Sequence, residues 1–378
     1  MLNPYSPANS SPVPSCAAAL AAVSLLVVML FGVQQMVAAA LNPAGLDFPR
    51  TWMDFREGRT TGTLEKQLDR NLPARQTLIA VANSVRYALT GSGGEQVRVG
   101  RAGWLFSVEE LQFYDNALAH QKDRLVIVAQ TARALKAQGV ILVIALVPDK
   151  ARAHAQQLLG GHYPDWQLNR YQFALDDLRL QGVAVADLLP ALTPSAVDVP
   201  LYYRTDTHWN QLGAQRAAAA VAGQVKAIGV NLPLVSFVTH HDGLVVQKSG
   251  DLLRMMNLNV MPNWIRPRPD SEITDVTKRT EAAQPAGLFG AMSVPVVLVG
   301  TSYSLRANFH GYLQQALGAE VLNVARDGGG FIQSAKDYLA NESFQTGKPQ
   351  VIVWELPERM LSAPLSDVEK QGLSLRMP

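Results

Sequence analysis

A chain of 378 residues that is 48% hydrophobic and 17% charged has ample length for one large domain or two ordinary ones, and its composition is globular rather than disordered. A net charge of +2 without a dense Lys/Arg run gives no reason to expect nucleic acid as a partner. The single cysteine, Cys16, rules out an internal disulfide framework and argues against a thiolate zinc site.

Residues 1–15 carry no charged side chain and are rich in Pro, Ser and Asn, which reads as a flexible tail. Residues 16–41 are uncharged and almost wholly apolar, interrupted only by Gln34 and Gln35, a length that can span a bilayer as a helix. The expectation is an uncleaved signal anchor. The small residues of Val37–Ala40 leave a cleaved signal peptide as the alternative. Either way the remainder is expected outside the cytoplasm, at the periplasmic face of the inner membrane or free in the periplasm.

Residues 42–100 read as a linker with N-terminal helices, a short one near Leu64–Asp69 and a second over Leu78–Leu89 before the Gly91–Gly94 loop. Residues 101–378 read as the catalytic domain. There Arg101–Phe106 is a turn feeding a short strand, with Trp104 and Phe106 on one face. A helix over Gln121–Gln138, a strand over Val140–Val147, a helix over Tyr171–Leu180 and a strand over Val183–Asp187 follow. That alternation is the signature of an α/β domain with a doubly wound parallel sheet flanked by helices. The alanine-rich Gln211–Ile228 is a helix closed by Gly229, with Asn210 as its N-cap. Residues 240–291, with scattered prolines and mixed charge, read as an insertion or lid. Further strands are expected at Val294–Val299, Val321–Val324 and Val351–Trp354, and a helix at Phe331–Leu339.

Two stretches carry chemistry. The apolar run from Val294 ends in Gly300-Thr-Ser-Tyr-Ser304, which presents a serine at the carboxyl edge of the sheet, beside N–H groups that favour developing negative charge. Ser302 and Ser304 are both candidate nucleophiles. A serine needs a base, and the best candidate is His208 in Asp206-Thr-His-Trp-Asn210. Asp206 lies two residues before it, and on an extended segment the two side chains would point the same way, the carboxylate orienting the imidazole. The backbone N–H of Ser302 is the first oxyanion donor candidate. A second is the Gly328–Gly330 loop around Gly329, whose glycines let backbone approach closely. Arg326 is read as a substrate contact or a surface arginine, and Tyr303 and Trp209 as rings that stack on substrate or as core. Lys150 and Asp187 close strands and read as structural groups. His240-His-Asp242 lacks an evident third ligand for a metal, and no cofactor motif is present.

Taken together, Asp206–Asn210 and Gly300–Ser304, with Gly103–Phe106, Val147–Lys150 and Trp354–Arg359, resemble the alginate O-acetyltransferase family of the AlgJ and AlgX type, within the wider SGNH hydrolase-like group. The resemblance spans about Gly103 to Arg359. It implies a Ser-His-Asp triad carried onto Ser302, His208 and Asp206, with Thr301 where ordinary SGNH enzymes have an aspartate. In those enzymes Asp and His follow the serine; here they precede it, and the same geometry is reachable from either order. The resemblance further implies acetyl transfer to hydroxyls of an exported exopolysaccharide, alginate-like or cellulose-like. A membrane-bound O-acyltransferase supplying acetyl groups and a polysaccharide export complex are the implied partners. An acetyl esterase with the same triad and a non-catalytic scaffold of such a complex are the alternatives.

Overall fold

The computed structural model describes residues 26–27, 29–34, 37, 51–59, 61–62, 75–195, 199–280 and 294–371. Two compact units divide the chain after Ala82. Within the first, a single helical turn, Trp52–Arg56, is closed at its N-terminus by a reciprocal Thr51–Asp54 capping box. Among the described residues no helix is long and apolar enough to cross a membrane. The apolar segment 16–41 lies largely outside those residues, as do the tail and the expected helix near Leu64–Asp69. The helix expected over Leu78–Leu89 runs Arg75–Thr90 (α1).

In the second unit β1 (Val97–Val99) pairs antiparallel with β2 (Leu105–Ser107), so a boundary at residue 101 would cut through a hairpin. Trp104 and Phe106 stack with centroids 6.1 Å apart. The elements that follow are α2 (Ala117–Lys136), β3 (Ile141–Val147), α3 (Arg170–Leu180), β4 (Ala184–Asp187) and α4 (Gln211–Ala227). After them come β5 (Phe237–Lys248), α5 (Asp251–Met255), β6 (Asp270–Arg279), β7 (Val296–Val299), α6 (Phe309–Leu317), β8 (Val321–Asn323), α7 (Gln333–Leu339) and β9 (Val351–Pro357). The five central strands lie in the order β4-β3-β9-β7-β8, and every pairing among them is parallel.

The period of two along β3 builds the two halves of the core. Val143, Ala145 and Val147 pack with α4 and α6 on one face. Leu142, Ile144 and Leu146 pack with α2, α3 and α7 on the other. Strands buried on both faces read as unbroken apolar runs, and each such side chain contributes roughly 1.5–3 kcal/mol on burial. Asn210 caps α4 by accepting from the Gly213 N–H at 2.9 Å, as expected.

Two expectations need correction. Residues 240–291 read as irregular, yet β5 and β6 form a two-stranded antiparallel sheet with a register shift between His241 and Val245. Pro262, Pro267 and Pro269, which suggested irregularity, all fall between the two strands; residues 281–291 lie outside the described ones. The stretch Leu305–Leu313, which by its sequence can be helical straight from the serine turn, is interrupted. Ser302–Leu305 is a lone 3-10 turn, Ala307 and Asn308 take left-handed conformations with φ of 52° and 55°, and α6 begins at Phe309. Asn308 tolerates that region, and its side-chain amide donates to Thr277 of β6 at 2.9 Å, which fixes the bend.

Candidate active site

β7 delivers Gly300 to the carboxyl edge of the sheet, where the chain must turn against β9. A Cβ on Gly300 would lie 2.6 Å from Glu355 Oε2 and 2.8 Å from Glu355 Cβ, so the close approach requires glycine. Glu355 is a fully buried carboxyl in an otherwise apolar strand. It accepts from the Thr301 N–H at 2.7 Å, from the Thr301 hydroxyl and from Ser304 Oγ at 3.1 Å. Burial raises its pKa against those hydrogen bonds, which favour the charged form. The turn that carries Ser302 is therefore stapled to β9. Ser304 belongs to the staple: it is 1% exposed and bonded away from the cavity.

Ser302 faces the other way. Its Oγ lies 2.7 Å from His208 Nε2, and His208 Nδ1 lies 2.5 Å from Asp206 Oδ1. A carboxylate can only accept, so Nδ1 carries the proton and Nε2 is left to accept from the serine hydroxyl. Residues 94 apart in sequence are thus joined in one hydrogen-bonded line.

Asp206 and His208 meet for a different reason from the one expected. The segment bends instead of running extended, and Asp206 Oδ1 accepts the His208 N–H at 3.0 Å. That is an Asx turn, in which an aspartate hydrogen-bonds its own backbone two residues on. The other oxygen of Asp206 accepts the Asp251 N–H at 3.0 Å. Burial alone would push the Asp206 carboxyl up; the bond and charge of His208, with the two backbone donors, hold it well below the usual carboxylate range. Asp251 also accepts the Thr207 N–H at 2.8 Å and stands 3.6 Å from His208 Nδ1.

The loop bearing Asp206 and His208 is clamped from several sides. Asp270, the first residue of β6, accepts the N–H groups of Arg204 and Thr205 at 2.9 and 3.0 Å. Lys150, fully buried, donates to three backbone carbonyls: Leu105, Arg204 and Asp206. Burial lowers its pKa to about 8. The segment read as a lid thus supports the base loop through Asp251 and Asp270.

A cavity of about 480 Å³ opens over Ser302 and His208. Arg254, Arg306, Arg359 and Gly328–Gly330 contribute to its wall. Ser302 is the first residue of its turn, so its N–H has no partner within that turn. The Gly329 N–H, by contrast, donates to the Arg326 carbonyl at 3.2 Å, closing a turn of its own.

A family model described as "SGNH hydrolase-like domain, acetyltransferase AlgX" matches residues 97–358. The chain belongs to that family. It is 33% identical over 309 residues to the probable alginate O-acetylase AlgJ of Azotobacter vinelandii, covering 80% of this chain and 79% of the relative. It is 32% identical over 316 residues to the corresponding AlgJ of Pseudomonas aeruginosa, with 80% of each covered. Among solved structures, the O-acetyltransferase domain of Pseudomonas putida AlgJ superposes with a TM-score of 0.64 at 32% identity, covering 72% of this chain and 94% of that one.

Against this family background, three of the candidate substrate contacts are placed elsewhere. Arg326 is bonded to Asp337 of α7 at the surface, the plainer of its two readings. Trp209 is completely buried, packed against Tyr303 and Phe309 at 4.9 and 4.7 Å, so it cannot stack on a sugar. Tyr303 is 1% exposed; its hydroxyl donates to the Thr207 carbonyl at 2.7 Å and its ring meets His208 edge-on at 4.8 Å. Both rings shape the base loop from behind. Asp187 caps the turn after β4 as expected, accepting the Leu189 N–H at 3.1 Å. His241 is exposed and bonded to Asp275. The group of His, Asp and Glu side chains close enough to share a cation, among the described residues, is Asp206, His208 and Asp251, and their facing oxygens already accept hydrogen bonds.

Sequence reasoning gave no role to Asp251, Asp270 or Glu355, which brace the site, nor to Arg359. Arg359 lines the cavity, its Nη1 donates to the Tyr303 hydroxyl at 3.3 Å, and its Nε lies 3.4 Å from Glu109. The available signal was its place just past the end of a buried central strand, where charged groups reach a ligand crevice.

Proposed function

We propose that this protein is an O-acetyltransferase that moves an acetyl group through Ser302 to hydroxyls of an exopolysaccharide, alginate-like by its relatives. The observation that carries the reading is the Ser302–His208–Asp206 line, at 2.7 and 2.5 Å, opening into a cavity rather than into the core.

In the first half-reaction His208 Nε2 takes the proton from Ser302 Oγ as that oxygen attacks the acetyl carbonyl of the donor. Asp206 stabilises the imidazolium. The Ser302 N–H faces the developing oxyanion, and one such donor supplies about 10²–10³ in rate. The tetrahedral intermediate collapses, the donor's leaving group departs with the proton from His208, and the acetyl remains on Ser302. In the second half-reaction His208 deprotonates a sugar hydroxyl, which attacks the acetyl-serine. Sugar ester forms, and Ser302 Oγ recovers the proton.

A site of this kind acting on an exopolysaccharide would work at the periplasmic face of the inner membrane, supplied by a membrane-bound acyltransferase within an export complex. The test uses purified protein with p-nitrophenyl acetate as donor and alginate or cello-oligosaccharides as acceptors, comparing wild type, Ser302→Ala and His208→Ala. Acetylated sugar by mass spectrometry, lost in both variants, is the expected result. Phenol release without sugar acetylation under any acceptor would replace the transferase by an esterase, and absence of all turnover would leave a scaffold.

A further inference from the structure

The cavity over Ser302 continues past Arg359. A second depression of about 220 Å³ adjoins it, and the two share Glu109, Gly330, Arg359 and Met360 as common walls. By itself 220 Å³ falls short of the ~300 Å³ at which free-standing ligand sites begin, whereas the cavity over Ser302 lies within that range. The smaller depression therefore has meaning as an extension of the larger.

Its chemistry is mixed in a particular way. The far wall is made by Tyr114, Phe331, Ala363 and Pro364, which offer apolar surface and one phenol. The shared wall is polar: the Glu109 side chain is 67% exposed and stands 3.4 Å from Arg359 Nε. A pyranose has the same division, with C–H faces that pack on apolar surface and a rim of hydroxyls that hydrogen-bond to carboxylate and guanidinium.

The wall is also fixed in place. Arg124 is buried, pairs with Glu369 at 2.7 Å, and donates to the carbonyls of Leu361, Ala363 and Pro364. Its guanidinium lies 5.5 Å from the centre of the Phe331 ring. A groove whose sides are held by a buried arginine is preformed, and a preformed groove needs no ordering when a ligand enters.

We infer that this extension is an acceptor subsite, holding the sugar residue adjacent to the one acetylated at Ser302. The inference rests on the transferase reading. It assigns the protein a polymer as acceptor, read along at least two rings.

The test measures binding, independently of turnover. Ser302→Ala protein is titrated calorimetrically with the alginate monosaccharide and its dimer, with and without Ala363→Trp, which fills the extension, and separately with Tyr114→Ala. The dimer is expected to bind about tenfold more tightly than the monosaccharide, the equivalent of ~1.4 kcal/mol. That advantage should vanish in Ala363→Trp and shrink in Tyr114→Ala, with both variants melting as cooperatively as the parent. A dimer no tighter than the monosaccharide, or an advantage that survives both substitutions, would overturn the subsite. The catalytic reading is judged separately, by acetyl transfer in the wild-type protein.

Discussion

Lys150 Nζ donates to the backbone carbonyl of Asp206 at 2.9 Å, while the carboxylate of that same residue receives His208. A buried ammonium thus holds the acid of the site by its main chain and leaves its side chain free for the imidazole. The same ammonium also ties Asp206 to Leu105 in β2 and to Arg204.

Replacing Lys150 with Met leaves the buried carbonyls of Leu105 and Asp206 without this donor, at about 1–3 kcal/mol for each orphaned acceptor, while the Arg204 carbonyl keeps the Leu105 N–H at 2.8 Å. The expected outcome is a lowered melting temperature together with at least a tenfold fall in p-nitrophenyl acetate turnover, because the Asx turn loses its outer support. Unchanged turnover in a folded Lys150→Met protein would show that the turn holds itself.

The two serines of the turn should separate cleanly. Ser302→Ala removes the oxygen beside His208, and turnover should fall at least about 10³-fold, as when a nucleophile is lost from such a unit. Ser304→Ala removes a hydrogen bond to Glu355, at a cost of about 1 kcal/mol in stability, with turnover within tenfold of wild type. Steady-state kinetics on both variants decides; a dead Ser304→Ala and a live Ser302→Ala would reverse the assignment.

Gly250 lies where a Cβ would stand 1.9 Å from the Thr205 carbonyl oxygen and 2.7 Å from the Asp206 nitrogen, all of it backbone. Gly250→Ala should therefore displace the base loop, costing about 1–3 kcal/mol and at least tenfold in turnover. Gly223→Ala is the matched control. It sits in α4 with nothing within 4 Å of an added Cβ, and should stabilise by up to ~1 kcal/mol with kinetics unchanged.

Glu110 gives a pH signature. Its carboxyl is wholly buried, and burial, with the Asp149 carboxyl beside it, pushes its pKa from 4.5 up to about 8. The folded protein keeps a proton that the unfolded chain releases above pH ~4.5. This group's contribution to stability is therefore full below that pH and is lost as pH rises through about 8. Glu110→Gln should flatten the decline in melting temperature between pH 5 and 8.5 relative to wild type. Parallel curves for the two proteins would mean the carboxyl is ionised throughout.

Much of this was legible in the chain because it is local. β3 and β7 announce themselves as short apolar β-branched runs, and the Asp206–His208 and Ser302 motifs each lie within a few residues at a strand or helix boundary. The contacts that position them are long-range, and no local pattern encodes them. Lys150 reaches Asp206 across 56 residues, and Asp270 reaches Thr205 across 65. Trp209 and Tyr303 looked like sugar platforms because they flank the reactive groups in sequence. In three dimensions that adjacency places them beneath the site. The β5–β6 hairpin was missed because its strands are largely exposed and their apolar residues, such as Val238, Leu244, Val245, Val246, Ile273 and Val276, do not alternate regularly with polar ones.

The strand order sets a condition on when the site can exist. β9 is the last strand in sequence yet lies between β3 and β7, so the half carrying Lys150 and the half carrying Ser302 have no shared edge until it is inserted. A chain made from its N-terminus has all three candidate residues, Asp206, His208 and Ser302, before β9 arrives. Synthesis thus passes through an interval in which all three are present before the strand that lies between the two halves of the sheet. Under the proposed function, the regain of ester turnover on refolding should report insertion of that one strand.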